Sequence, residues 1–258
     1  MAYKKLKFWF DKELAVMLSE KIIQRYPAFD RAVFVAAVDK GTRHLELKPR
    51  VEWIADELKK QLPENFIDAL DILIDVLGPE NDQETGMFSE YYWVMPIAKF
   101  VEKYGLDHFD ASMDAICEIT KRNTGEYAVR PFLEAYPEKA MAMMKKWSTD
   151  NNVHVRRLAS EGMRPRLPWA KKLDMVIQNP APLLDMLDNL KDDESRFVQK
   201  SVANALNDIS KDNREVALKT LGRWSHNAGK HRQWIIRHAL RNLLKKKDPQ
   251  ALKLLETM

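Results

Sequence analysis

One cysteine, eight glycines and no long apolar run set the first limits on this chain of 258 residues. With Cys117 alone, no internal disulfide can form, and a reducing, cytoplasmic (nucleoid-associated) setting is expected. A single thiol without metal-ligand spacing reads as a small core residue. The longest apolar stretch, Ala32 to Val38, is far shorter than the ~20 residues that cross a bilayer, so no membrane partner is expected. In the N-terminal MAYKKLKFWFDKE, Asp11 and Glu13 interrupt what a signal peptide would keep apolar. A Walker lysine loop, an HExxH pair and a cysteine–histidine cluster are all missing. His44, His108, His154, His226, His231 and His238 lack metal-ligand pairing, so neither a metal nor a cofactor is expected. A desolvated lysine acting through a Schiff base leaves no spacing signature and stays an open alternative.

Strands are missing too. No segment alternates with period two, whereas EWIADELKKQL, NFIDALDILIDVL, IAKFVEKY, ASMDAICEITKR and FVQKSVANALNDI place apolar residues three and four apart. Breaks fall at Gly78-Pro79, Tyr136-Pro137, Asn151-Asn152 and Asn179-Pro180. The expectation is an all-α chain of roughly a dozen helices. In its second half, VRRLASEG from Val155, VQKSVANALND from Val198 and IIRHALRNLLK from Ile235 share one pattern. Each has a β-branched residue, a cation two positions later, then Ala or Val. The starts lie 43 and 37 residues apart, close to the ~40–47-residue period of HEAT and armadillo helix pairs. The architecture expected is therefore an α-solenoid of HEAT-like repeats, a single domain over 1–258. Residues 1–85 would be N-terminal helices and 86–258 the functional repeats. Equivalent helices would line a concave surface, with Arg157, Lys200 and Arg237 recurring on it.

Charge is unevenly spread. Residues 121–172 hold 12 Lys+Arg against 5 Asp+Glu, and residues 211–258 hold 12 against 4. The chain as a whole is only +4, so two basic blocks stand on an acidic background. A single basic run would read as a solvated face. These blocks instead coincide with the repeats and carry Trp147, Trp169, Trp224 and Trp234, while Trp9, Trp53 and Trp93 read as core packing. A concave basic groove suits a polyanion, nucleic acid above a flat lipid surface. Arg156, Arg157, Lys200, Arg237 and His238 are candidate phosphate contacts. About six such contacts would give a log–log salt slope near −5.

The segment 156–170, RRLASEGMRPRLPWA, packs Gly162, Pro165 and Pro168 around Arg164 and Arg166, ahead of Trp169. Together with TGEYAVRPFLEAYPEKA (124–140), YGLDHFDASM (104–113), SVANALNDISKDN (201–213) and WIIRHALRNLLKK (234–246), it resembles the AlkC branch of HEAT-repeat DNA alkylation-repair glycosylases. The stretches around NDISKD and RHAL also resemble the AlkD branch. Since the chain ends at Met258 without a strand-rich segment, it resembles the shorter form that lacks an immunoglobulin-like domain.

The resemblance implies hydrolysis of the N-glycosidic bond of cationic alkylated bases such as 3-methyladenine. Double-stranded DNA carrying such lesions would be the partner, gripped by its backbone without deep base flipping by a monomeric enzyme. A methylated purine already carries its positive charge and can leave neutral. The remaining cost is the charge developing on deoxyribose and the delivery of water to C1′, both of which carboxylates can serve. The family pattern falls on Asp208, as the residue nearest C1′, and on Glu161 and Glu126, at the base or sugar. Trp169 is the fourth member, an indole offered to a cationic base or sugar. Arg164 and Arg166 would reach phosphates. Plain alternatives stand beside each: Glu126 as a first-turn acid or a partner of Arg130, Asp208 as a partner of Lys211, and the Trp169 segment as a structural turn. A non-catalytic DNA-structure-binding module and a scaffold for an acidic protein are the competing functions.

Overall fold

The structure is a computed structural model that describes residues 4–85 and 90–256. The boundary expected between residues 85 and 86 meets the segment 86–89, which lies outside the described residues. Fifteen α-helices and two 3-10 turns, with no strand, account for the described secondary structure. The excess over a dozen comes from pieces as short as α7 and α10. By their internal packing the residues divide into two compact units, Met1–Pro131 and Phe132–Met258.

The first unit contains α1 (Lys12–Ile23), α2 (Arg31–Thr42), α3 (Leu47–Gln61), α4 (Phe66–Asp75), α5 (Met95–Tyr104) and α6 (Phe109–Thr120). Neighbours in sequence pack as neighbours in space: α1 on α2, α2 on α3, α3 on α5, and α4 on both α5 and α6. Leu14, Leu18, Phe34, Ile54, Leu58, Leu73, Phe100 and Ile116 are fully enclosed, each contributing about 1.5–3 kcal/mol through burial. Arg50 is enclosed as well, because its guanidinium donates to the carbonyls of Phe10, Arg43 and Leu45. Trp53 departs from the core role expected of it. It is 37% exposed and lies on Gly41, where a Cβ would come within 2.1 Å of the indole. Cys117 is only half-buried.

Helix α7 (Arg130–Ala135) precedes the helices of the second unit: α8 (Pro137–Trp147), α9 (Val153–Gly162), α10 (Asp174–Gln178), α11 (Ala181–Leu190), α12 (Arg196–Asp212), α13 (Arg214–Ser225), α14 (Lys230–Lys245) and α15 (Pro249–Glu256). The three segments matched by sequence are α9, α12 and α14. α12 packs against both α9 and α14, making a layer of three. Behind that layer α8 packs on α9, α11 on α9 and α12, and α13 on α12 and α14, so the unit is three stacked helix pairs with α15 added at α13 and α14. This is the helical-repeat arrangement expected.

Local chemistry starts two of the layer helices, α9 and α12, at their sequence signals. Asn152 accepts from the amides of His154 and Val155, and Ser195 accepts from those of Phe197 and Val198, satisfying N–H groups that a helix cannot pair internally. Val155, Val198 and Ile235 are all fully buried, which fixes the register. Six positions further on, this register places Glu161, Asn204 and Arg241 at equivalent sites of the three helices.

Candidate active site

The site builds outward from the end of α9. Gly162 closes that helix, and the next backbone turn carries Arg164 back over it. Arg164 Nη1 donates to Glu161 Oε1 at 2.7 Å, while Nε and Nη2 both reach Asp208 Oδ2 on α12 at 2.8 Å. One guanidinium thus joins the two carboxylates that sequence reasoning put in catalytic roles. All three are nearly enclosed: Asp208 is 1% exposed, Glu161 6% and Arg164 7%. Such burial is tolerable only because the charges are paired.

Every carboxylate oxygen in this pair has a donor. Ser201 Oγ donates to Glu161 Oε2 at 2.6 Å, Arg157 Nη2 stands 3.5 Å from Glu161 Oε1, and Lys211 Nζ lies 2.7 Å from Asp208 Oδ1. Burial pushes the Glu161 carboxyl up, but Arg157, Arg164 and the Ser201 hydroxyl outweigh it and hold that carboxyl below the usual range. The Arg164 guanidinium is likewise held above its ordinary value: burial opposes the charge, and Glu161 and Asp208 more than offset it. Arg241, stationed through Asn204 Oδ1 and the His238 carbonyl, is pushed down by burial despite the favourable field of Asp208.

Two of the expected phosphate contacts are corrected. Arg164 is buried between carboxylates and presents no free edge to a backbone. Arg156 donates to the carbonyls of Asp150 and Asn151 and to the enclosed Asp193, so it ties the start of α9 to the loop before α12. Arg166 meets Asp212 through two parallel bonds of 2.7 and 2.5 Å, a fork-on-carboxylate pair that anchors the proline-rich loop to the end of α12. Of the expected phosphate contacts, Lys200 and Arg237 are exposed, with Arg157 half-buried over the Phe197 ring. His238 stacks on Trp234, whose other contact is the Arg196 guanidinium 4.0 Å from its ring centroid. Burial, Arg241, Lys200 and Arg196 all push the His238 imidazole down. Trp147 and Trp224, expected on the basic surface, are instead enclosed in the backing helices α8 and α13.

Trp169 differs from the other tryptophans. It is 62% exposed, and its backbone adopts φ 65°, the left-handed region that costs a residue with a Cβ about 1–2 kcal/mol. Holding a large indole outward on unfavourable backbone is what a functional position looks like. A Trp169→Gly variant should therefore keep or raise Tm while slowing base release on the order of tenfold, the loss of one cation–π contact. Calorimetry paired with a rate measurement checks both halves; a lower Tm with an unchanged rate would return Trp169 to a structural turn.

Glu126 belongs to the first unit. Gly125 lets this strand of chain press on α6, since a Cβ there would come within 2.6 Å of Ile116 Cγ2. Thr124 Oγ1 then donates to Glu126 Oε2 at 3.0 Å and accepts the Glu126 amide at 3.3 Å. Glu126 is 3% exposed and sits in a turn ahead of α7, so it is not the first-turn helix acid weighed from sequence. Ser201 and Arg241 escaped the sequence analysis, whereas Lys211 stands where it was weighed there, as the partner of Asp208. Arg241 was within reach, since it holds the position in α14 that Glu161 holds in α9. A surface cavity of about 330 Å³, lined by Leu184, Asp185, Asp188, Lys219 and Arg223, opens between α11 and α13 and includes none of these groups. Among the described residues no cluster of His, Cys, Asp or Glu could hold a metal, and no helix is long and apolar enough to cross a membrane.

The stacked helix pairs agree with what comparison with known proteins shows. Residues 97–243 match the family described as DNA alkylation repair enzyme, and the chain belongs to that family. Over 250 residues it is 40% identical to the uncharacterized protein YhaZ of Bacillus subtilis (strain 168), covering 96% of this chain and 67% of that one. It also superposes, with a TM-score of 0.89 and 35% identity, on the Pseudomonas fluorescens alkylpurine DNA glycosylase AlkC bound to DNA containing an abasic site analog, covering 98% of this chain and 69% of the other.

Proposed function

We infer that this protein is a DNA glycosylase of alkylation repair that releases cationic alkylated purines, 3-methyladenine foremost, by hydrolysis. The observation that carries this reading is the enclosed Glu161–Arg164–Asp208 cluster on the layer helices, with exposed Trp169 on the loop that supplies Arg164. A purine bearing a fixed positive charge needs no proton to depart. The chain has to stabilise a deoxyribose becoming positive and to place a water, and two carboxylates with an electron-rich indole supply both.

In the free protein, Arg157, Arg164 and Lys211 outnumber the two acids they pair with. Lys211 is the accessible member, its side chain 40% exposed on an unbranched stem. A DNA phosphate competes for that ammonium and leaves Asp208 Oδ1 open to accept from the attacking water. Exposed Lys200 and Arg237 contact the backbone, and Trp169 faces the lesion without enclosing an extruded base. Methylated calf DNA incubated with the purified chain should release 3-methyladenine, read by chromatography of free bases. Release no faster than spontaneous depurination would leave a DNA-binding module without catalysis.

A further inference from the structure

We propose that Arg164 is a positioning residue for base excision, the single guanidinium that holds Glu161 and Asp208 together across two helices. This rests on the glycosylase reading above. The geometry is specific: the two acids come from different helices, and one planar group spans them with bonds of 2.7, 2.8 and 2.8 Å. Pro165 and Pro168 flank the loop that delivers it, and the neighbouring Arg166–Asp212 fork pins that loop to α12. Arg164 is also too enclosed to meet DNA, so its charge is spent inside the protein.

Without this cation, Glu161 keeps only Arg157 at 3.5 Å and Asp208 only the half-exposed Lys211, and the usual outcome for buried acids so weakly paired is that one takes up a proton. Glu161 is the acid whose carboxyl Arg164 helps hold down. A depressed carboxyl is ionised over most of the pH range and fails only as pH falls through its low value. Losing Arg164 raises that value, so activity should disappear at a higher pH on the acid side. A lysine at 164 keeps a charge but has no fork with which to span two acids.

The test compares wild type, Arg164→Met and Arg164→Lys in single-turnover release of 3-methyladenine between about pH 5 and pH 9, with spontaneous release subtracted. The acid limb should move up by on the order of one pH unit in Arg164→Met and by less in Arg164→Lys. At neutral pH the rate should fall about a hundredfold in Arg164→Met, as expected when a catalytic group loses its placement. Binding to an abasic-analogue duplex should stay within a few-fold of wild type. A lower rate at every pH with an unmoved acid limb would make Arg164 a structural residue and overturn the proposal. Should neither variant fold, carbon-13 carboxyl titration of the wild-type protein decides: a Glu161 signal titrating in the ordinary glutamate range overturns it too. A wild-type protein that releases no base at all fails the glycosylase reading itself, a result distinct from an active protein whose variants keep its pH profile.

Discussion

Asp208→Asn should abolish measurable base excision while leaving DNA binding intact. A carboxylate about 4 Å from the positive charge developing on the sugar contributes roughly 4 kcal/mol at an effective dielectric of 20, on the order of a thousandfold in rate. Asparagine fills the same volume and its single amide oxygen can still accept from Arg164, while the exposed Lys211 turns to solvent away from the new NH2 group, so the packing of α12 against α9 survives. What disappears is the charge and the capacity to orient or deprotonate water. The measurement is single-turnover release from methylated DNA beside affinity for an abasic-analogue duplex. Excision within tenfold of wild type would remove Asp208 from the reacting centre and leave it as the structural partner of Lys211 and Arg164.

Salt dependence carries the second large effect. Seven side chains are candidates for phosphate contacts from sequence, and about six such contacts would give a slope near −5. Arg164 and Arg156 are committed inside the protein, Arg166 is forked to Asp212, and the His238 imidazole is pushed toward its neutral form. Lys200 and Arg237, joined by the exposed Arg196 on Trp234, remain for the backbone. About three contacts give a log–log slope near −3, so affinity should fall roughly fortyfold between 50 and 200 mM salt. Fluorescence anisotropy across that range reads the slope directly. A response shallower than −1 would sink the assignment of this face to DNA.

Helix periodicity and the spacing of Val155, Val198 and Ile235 made the architecture legible, because buried β-branched residues set a register that side chains must follow. The two acids stood out as candidates for a different reason, the motifs SEG-x-RPRLPW around Glu161 and NALNDISKD around Asp208. Charge misled where it was counted without partners. Arg156 and Arg164 enlarge a basic block in the sequence, yet each is matched in space by a carboxylate some forty residues away, Asp193 in the loop before α12 and Asp208 within it. The buried state of Trp147 and Trp224 was hidden likewise, since a tryptophan's surroundings depend on which layer its helix joins. Glu126 shows the local limit: a Thr-Gly-Glu run looks like a helix start, but Gly125 is there for close approach to Ile116, and the helix begins later, at Arg130.

The shared register of α9, α12 and α14 has an evolutionary corollary. One rung of this ladder carries an acid at 161, an amide at 204 and a cation at 241, on a framework whose apolar anchors do not change. Chemistry can therefore be rewritten one helix at a time, with each swap felt by its immediate neighbours and little beyond. Relatives acting on other damage would be expected to differ first at these three places, with the anchoring valines and isoleucine left alone.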